Sequence, residues 1–526
     1  MKNLPKIVFK EYLDGINFKI ALGNKGLFEQ NKINERFYIG DQWHGAKCGN
    51  DRPLVRHNVI KRIGDYKMSQ VLNTPISVKF SADGVPTDFD NNVYTEINDY
   101  NYPTGLERED INLLMSVLGD YFNTTAERVN LDALKEKALK NAYITGSSVL
   151  YTYWDSSVPT GLFADKNKKI HIKGDIGCEV LDIEDVVFGD PYCENVQNQP
   201  YIIISSRKEA DEVLRQARLY GADIKTLDLI SQSAEDGKIN LITKLFKSYK
   251  PDGSFTVKGI KITENAIVRG EFDTGLSLYP ITVFCWETRN NSAYGDSEIT
   301  YLIPNQIAIN RMITANVWSA MSNGMPIMLV NGDTVTETIT NDPGQIIKVF
   351  GSNEDVAGAV KYVSPPSFMK DFDESINSLI NNTLTQSGAN EVALGDSKAE
   401  NATALAAMRD AALMPLKSVK RRFYNFIEEL SRIWADFWIT YYGVREIKLS
   451  DSSGYINFNG ERYKNLIISA RVDIGNSTEY NERECLSTLM TLYEKGIIDR
   501  KQLLIRMPKG VIPDIDGLLA EKEDNQ

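Results

Sequence analysis

Gln386-Ser387-Gly388-Ala389-Asn390 opens the stretch on which the reading of this chain turns, and Leu416-Lys417-Ser418-Val419-Lys420-Arg421-Arg422-Phe423-Tyr424-Asn425-Phe426-Ile427-Glu428-Glu429-Leu430 continues it towards Tyr442. Asn401-Ala402-Thr403-Ala404-Leu405 reads as a helix start, and the periodic pattern that follows is interrupted only at Pro415. Beyond the proline, Leu416, Val419, Phe423, Phe426, Leu430, Ile433 and Phe437 alternate three and four residues apart, so they form one stripe of a helix. Such a helix is about 40 Å long at about 1.5 Å per residue. Pro415 predicts a bend, because it removes a backbone donor and its ring crowds the preceding turn. The stretch therefore pairs a polar loop with a rod.

At 526 residues the chain exceeds what one hydrophobic core usually holds, so several domains are expected. Its 42% hydrophobic and 25% charged residues are ordinary for a globular protein. The start, Met1-Lys2-Asn3-Leu4-Pro5-Lys6, lacks the apolar run of a signal peptide, and no segment is apolar for long enough to span a bilayer. The expectation is an intracellular protein with no membrane partner. Cys48, Cys178, Cys193, Cys285 and Cys485 are scattered, with neither a Cys-x-x-Cys pair nor a disulfide framework. A net charge of −12 argues against gripping nucleic acid with the whole surface, though not against letting it pass.

Taken in order, the chain begins with short helices. Asn34 to Gly40 ends at a glycine, Asn58 to Leu72 is amphipathic, and Pro75 to Phe80 alternates like a strand. Helices are predicted over Glu107–Asn123 and Leu131–Ile144. Strands follow at Val149–Trp154, Ile170–Ile172, Glu179–Leu181, Tyr201–Ile204, Ile239–Tyr249 and Ile260–Val268, with a helix at Lys208–Tyr220 and an apolar run at Ile281–Trp286. Asp296 to Asn323 is one long helical candidate with Pro304 near its start. Strand-like pieces at Ile327–Val330 and Gln345–Val349 are separated by the turn signals Asn331-Gly332-Asp333 and Asp342-Pro343-Gly344. A second helix is expected from Phe368 to Thr385, then the loop and rod. Short strands at Arg445–Leu449 and Leu466–Val472 and a helical hairpin at Asn481–Tyr493 and Asp499–Arg506 close the chain.

Reactive constellations are sparse. His44, His57 and His171 are too far apart in sequence for a metal-ligand pair, and no phosphate-cradling P-loop is present. The best carboxylate cluster is Asp182, Glu184, Asp185 and Asp190; it fits a divalent-metal site of the nuclease kind, or simply a strand with an acidic turn. Gly146-Ser147-Ser148 lacks the second glycine of a nucleophile elbow. Lys417, Lys420, Arg421 and Arg422 read as phosphate contacts, as a solvated helix face, or as ion-pair partners for Glu428 and Glu429 across subunits. The aromatic stripe Phe423, Phe426, Trp434, Phe437 and Trp438 reads as packing rather than a stacking platform. From Asp296 to Asn401 there are thirteen acidic residues against five basic ones, so most of the net negative charge lies there. An acidic wall repels a polyanion and prevents sticking.

This order of elements resembles that of tailed-bacteriophage portal proteins, the head-tail connectors of the virion, over nearly the whole chain. The residues that carry the resemblance are Phe37-Tyr38-Ile39-Gly40, Tyr294-Gly295-Asp296-Ser297, Asn401-Ala402-Thr403-Ala404, and the tail from Gly475 through Gly496-Ile497-Ile498. It implies an α+β, elongated portal-type subunit: a wing (1–294, α/β), first stem helix (295–323), small α/β clip (324–367), second stem helix (368–385) and tunnel loop (386–401). A proline-kinked spine helix (402–443), wing strands (444–480) and a short helical C-terminal crown (481–526) complete it.

The resemblance further implies a non-enzymatic ring, usually a homododecamer, at one capsid vertex, assembled in the host cytoplasm and carried in the virion. Double-stranded DNA passes through its channel during viral genome packaging and ejection. The implied partners are further copies of the chain, terminase, a head-to-tail adaptor, and the major capsid and scaffolding proteins, with no cofactor. Gln386, Ser387, Gly388, Ala389, Asn390 and Lys398 become the tunnel loop facing DNA, with Asn390 and Lys398 offering weak phosphate contacts. Pro415 becomes the helix kink, and Asn331, Gly332, Asp333, Asp342 and Gly344 the clip interface. The alternatives are a metal-dependent nucleic-acid enzyme using Asp182, Glu184, Asp185 and Asp190, and an assembly scaffold with no DNA role.

Overall fold

The structure is a computed structural model that describes residues 4–46, 53–73, 76–83, 108–163, 171–251, 255–324, 327–333, 335, 348, 350–352, 358, 360–363, 370–389, 414–448, 455–463, 467–473, 479–499 and 502–503. In chain order the elements are α1 (Leu4–Ala21), α2 (Leu27–Ile39), α3 (Val59–Leu72), β1 (Ser77–Asp83), α4 (Arg108–Arg128), α5 (Leu131–Thr145), β2 (Ser147–Phe163), β3 (His171–Asp182), β4 (Val186–Phe188) and β5 (Tyr201–Glu209). Next come α6 (Ala210–Leu219), α7 (Ile224–Gln232), β6 (Lys238–Tyr249), β7 (Phe255–Ile262), β8 (Ile267–Asp273), β9 (Ile281–Cys285), α8 (Glu298–Gly324), β10 (Ile327–Val330) and β11 (Val360–Val363). The last are α9 (Lys370–Gln386), α10 (Leu416–Tyr441), β12 (Val444–Lys448), β13 (Tyr455–Asn459), β14 (Ile467–Asp473) and α11 (Glu479–Glu494). Helices are mixed with strands that pair antiparallel throughout the described sheets, consistent with an α+β fold.

Two compact units emerge. One comprises Met1–Lys32, Asp65–Glu298 and Lys398–Gln526; the other comprises Ile33–Gly64 and Ile299–Ser397. The first contains a five-stranded antiparallel sheet in the order β4-β5-β6-β7-β8, a three-stranded sheet β3-β2-β9, and the β1-β14 and β12-β13 pairs. Its α10 is the rod expected from sequence. Phe423, Leu430 and Trp434 are fully buried; Phe423 meets Phe284 of β9 edge-on at 5.6 Å, and Trp434 meets Phe122 of α4 at 5.1 Å. Burying each large apolar side chain contributes roughly 1.5–3 kcal/mol, so this stripe alone outweighs any propensity term in the helix.

Several expectations change. The strand read over Ile260–Val268 is two strands, because Thr263 to Ala266 forms a turn in which Thr263 N donates to Ala266 O at 2.8 Å. The pieces at Ile170–Ile172 and Glu179–Leu181 belong to one strand, β3, whose interior Gly174 and Gly177 disguise its continuity. At both positions a Cβ would meet an aromatic ring of β2, that of Trp154 or Tyr153, at under 3 Å. Glycine there admits the rings rather than ending the strand. Helices α1 and α7 are not among the sequence expectations, although Leu4, Val8, Tyr12 and Ile16, and Leu227 and Ile230, recur at helical spacing; the buried residues of α1 also include Lys19. The expected strand at Gln345–Val349 lies outside the described residues save Lys348, and the observed partner of β10 is β11.

Candidate functional site

In the second unit, α8 carries a row of polar residues that sequence periodicity alone does not explain. Gln306 accepts from Val59 N at 3.0 Å and donates to His57 O at 2.7 Å. Asn310 Oδ1 accepts from His57 N at 3.1 Å, and Thr314 Oγ1 accepts from Val55 N at 3.1 Å. Asn310 Nδ2 donates to Gln42 Oε1 at 2.6 Å. The four-residue spacing stacks these hooks on one side of the helix, where they satisfy the backbone of the extended segment 53–58 and the start of α3. Gln306 and Asn310 are buried, so each lost bond leaves an unsatisfied group.

Beyond Asn310 the same helix changes character. No residue from Arg311 to Met321 is buried, although Met312, Ile313 and Val317 are apolar. Helix α9 is tied to α8 by Asn305 Nδ2 to Thr383 Oγ1 at 3.3 Å and Asn316 Nδ2 to Asp373 Oδ1 at 2.5 Å. The β10-β11 pair exposes Leu329 by 53% and Val330 by 38%. Asn331 Oδ1 then accepts from Asp333 N at 3.1 Å, closing a turn in which Asn331, Gly332 and Asp333 are all exposed. Asp342 and Gly344 lie outside the described residues.

The residues assigned to the tunnel loop divide. Gln386 is the last residue of α9, not a loop residue. Ser387, Gly388 and Ala389 are buried within the same unit; Ser387 Oγ donates to Leu384 O at 2.8 Å, and Gly388 turns the chain with φ +78. Asn390 and Lys398 lie outside the described residues. Pro415 is the N-cap of α10, preceded by a turn, rather than an interior residue of a described helix. At a helix start its missing N–H costs nothing and its φ of −61° already suits the first turn.

The carboxylates Asp182, Glu184, Asp185 and Asp190 do not converge. Asp182 Oδ1 accepts from Asn141 Nδ2 at 3.0 Å, Glu184 Oε1 accepts from Asn31 Nδ2 at 3.0 Å, and Asp190 Oδ1 accepts from Tyr192 N at 3.0 Å. Their turn is organised by a residue that the sequence reading missed. Lys19, fully buried, donates to Ile183 O and Glu184 O at 2.8 Å each. Burial lowers the Lys19 amine to about 7 against the pull of Asp185 and Glu184. Asp185 is pushed up by its own burial and by Asp182. Among the described residues no group of three or more His, Cys, Asp or Glu side chains is arranged to hold a metal ion.

A denser polar cluster sits in the first unit where α8 begins, at the Tyr294-Gly295-Asp296-Ser297 stretch. Gly295 and Gly146 face each other so closely that a Cβ on either would meet the other's carbonyl at 2.6 and 2.5 Å. Asp296 pairs with Arg289, and Ser297 Oγ donates to Tyr143 O at 2.6 Å. Glu298 is clamped between Lys67 Nζ at 2.5 Å and Trp286 Nε1 at 3.0 Å, with both charged partners buried. Arg422 of α10 donates to Trp286 O, so one member of the basic cluster on the rod serves the interior rather than solvent or another subunit. Glu428 likewise accepts from Val472 N at 2.9 Å. Glu287, beside Glu298, is raised by burial and by that neighbour. Buried ion pairs of this kind fix one arrangement, because removing either partner strands a charge.

Among the described residues no helix is long and apolar enough to cross a membrane. Compared with known proteins, the chain matches no protein-family model and no curated sequence.

Proposed function

We propose that this chain is the subunit of a ring-forming phage portal, a non-enzymatic conduit for double-stranded DNA at one capsid vertex that docks terminase and a head-to-tail adaptor. The observation that carries this reading is the uneven burial of α8: its first half is hooked into its own unit, while Arg311 to Met321 leaves apolar side chains incompletely covered. A long helix with such a face gains by packing against neighbouring copies, and head-to-tail contacts that close make a ring. The excess of acidic residues between Asp296 and Asn401 supports a channel that does not retain its polyanionic cargo. The order of helix, small hairpin, helix and rod supports the same reading.

Negative-stain microscopy of the purified chain tests it. Rings with a central hole wide enough for duplex DNA are expected, and a compact monomer at micromolar concentration overturns the proposal. The reading as a metal-dependent nucleic-acid enzyme draws less support, since Asp182, Glu184 and Asp190 each serve a separate local bond. Metal-dependent cleavage that disappears on replacing Asp182 and Asp185 would restore it.

A further inference from the structure

The five-stranded sheet of the first unit carries a cluster of cations that its hydrogen bonding does not account for. One cross-strand row runs Ile204, Thr243, Lys261, Arg269 across β5, β6, β7 and β8. The row ends with two cations directly opposite each other, an arrangement that repels unless something neutralises it. Register shifts in β8 lie on both sides of Arg269, between Gly259/Phe272 and Lys261/Arg269 and between Lys261/Arg269 and Ile262/Ile267. Bulges of this kind re-aim side chains, and here they set Arg269 beside Lys261 on an edge strand.

Arg269 is held by aromatic faces, its guanidinium carbon 4.3 Å from the Tyr220 ring centroid and 3.7 Å from that of Phe272. These contacts fix the group without using any of its N–H donors. Among the described residues neither the Lys261 nor the Arg269 side chain makes a hydrogen bond or an ion pair. Lys208, on the same side of β5 as Ile204, adds a third positive charge within electrostatic reach of Lys261.

The nearby carboxylates keep their charge but direct their hydrogen bonds to other donors. Glu212 of α6 acts on Lys261 only at a distance, and its Oε1 accepts from Gln216 Nε2 at 3.3 Å. Asp273 and Asp436, which with Arg269 act electrostatically on Tyr441, accept from Thr256 Oγ1 and Gly275 N, and from Ser277 N and Leu278 N, respectively. Burial, with Arg269 and Lys208 nearby, holds the Lys261 ammonium below the usual lysine range. Two cations and one carboxylate, that of Glu212, therefore act on Lys261, which leaves positive charge in excess there.

We infer that Lys261 and Arg269, assisted by Lys208, form a binding site for a phosphate-class oxyanion on the sheet face between α6 and β8. The guanidinium offers a fork of donors suited to two oxygens of a tetrahedral anion, and the ammonium offers a point charge beside it. The site is independent of the portal reading, since no residue of the second unit takes part.

Calorimetric titration of the full chain with inorganic phosphate, ionic strength being held constant with chloride, tests the assignment. Saturable binding is expected, weakened at least tenfold in Arg269→Gln and in Lys261→Met, and weakened less in Arg269→Lys, which keeps the charge but loses the fork. Lys258→Met, which removes another cation of β7, paired with Glu271 of β8, should bind phosphate as the parent does. Methyl phosphate binding as tightly as free phosphate identifies a terminal phosphoryl group on a larger ligand as the natural occupant; weaker binding identifies the free ion. Absence of saturable binding, equal binding of acetate, or unchanged binding by a folded Arg269→Gln variant overturns the inference.

Discussion

Helices α8 and α10 are almost equally long, 27 and 26 residues, yet they meet the need for burial in opposite ways. In α10, fourteen residues are buried along its whole length, from Leu416 to Ile439, against β-strands and α4 of the same unit. Between Glu298 and Met321 of α8 the last buried residue is Asn310, and the inner half is held as much by amide hydrogen bonds as by apolar contact. The difference separates a helix whose environment is complete within its own unit from a helix whose outer half its own unit leaves incompletely covered. Polar hooks fix where α8 lies, while its outer apolar residues stay only half-buried.

The largest test of this contrast is Phe423→Ala. Phe423 is fully buried on α10 between Phe284 and Phe426. Its truncation should cost about 4 kcal/mol in chemical denaturation of the first unit's transition. A loss under about 1 kcal/mol would mean that α10 is no more committed to its own unit than α8 is.

Lys67→Met attacks the start of α8 instead. It leaves Glu298 buried with only Trp286 Nε1 donating, and the expected cost is about 3 kcal/mol by the same measurement. Lys67→Met with Glu298→Gln should recover most of that loss, since no buried charge then remains.

The pH dependence of α10 is the third test. Glu429 is raised by burial to about 7, with Arg432 opposing. Between the ordinary glutamate value of about 4.5 and about 7, the folded protein holds a proton that the unfolded chain has released. Stability therefore falls as pH rises through that window and levels off above it. Glu429→Gln should stabilise the chain by about 1 kcal/mol at pH 8, a figure reduced because the side chain keeps some contact with water, and should change little at pH 5. A constant difference at both pH values would show that Glu429 keeps its proton equilibrium on folding.

The smallest stability effect is expected from Ile313→Ala combined with Val317→Ala on the outer half of α8. Each should cost the unassembled chain less than about 0.5 kcal/mol. Under the proposed ring assembly, sedimentation velocity should nevertheless show the assembled fraction falling. A large loss of stability with unchanged assembly would erase the distinction between the two helices.

The rod was legible because its information is local. Residues from Leu416 to Phe437 repeat at helical spacing, and a single buried face suffices to read them. The boundaries of α3, α5, α8 and α9 and the end of α2 were likewise close to expectation, since glycines such as Gly40 and Gly146, both at positive φ, mark two of the helix ends, whereas the start of α2 lies seven residues before Asn34. The candidate sites were less legible. Asp182, Glu184, Asp185 and Asp190 form a cluster in sequence, but the folded chain gives three of them separate bonds and buries Lys19 beneath their turn. Ser387, Gly388 and Ala389 are polar or small, which suggests a loop, yet packing in their own unit buries them.

What the sequence determined by itself was the set of helices and strands with regular apolar periods, the acidic bias from Asp296 to Asn401, and the sparseness of reactive residues. Only the tertiary structure decided that Gln306, Asn310 and Thr314 are hooks, that Lys67 and Glu298 clamp the start of α8, and that Lys261 and Arg269 stand opposed. The physical reason is the range of the interactions. Periodicity reports an element's own geometry, whereas a polar side chain's role depends on which donor, acceptor or charge a distant part of the chain brings within about 3 Å of it.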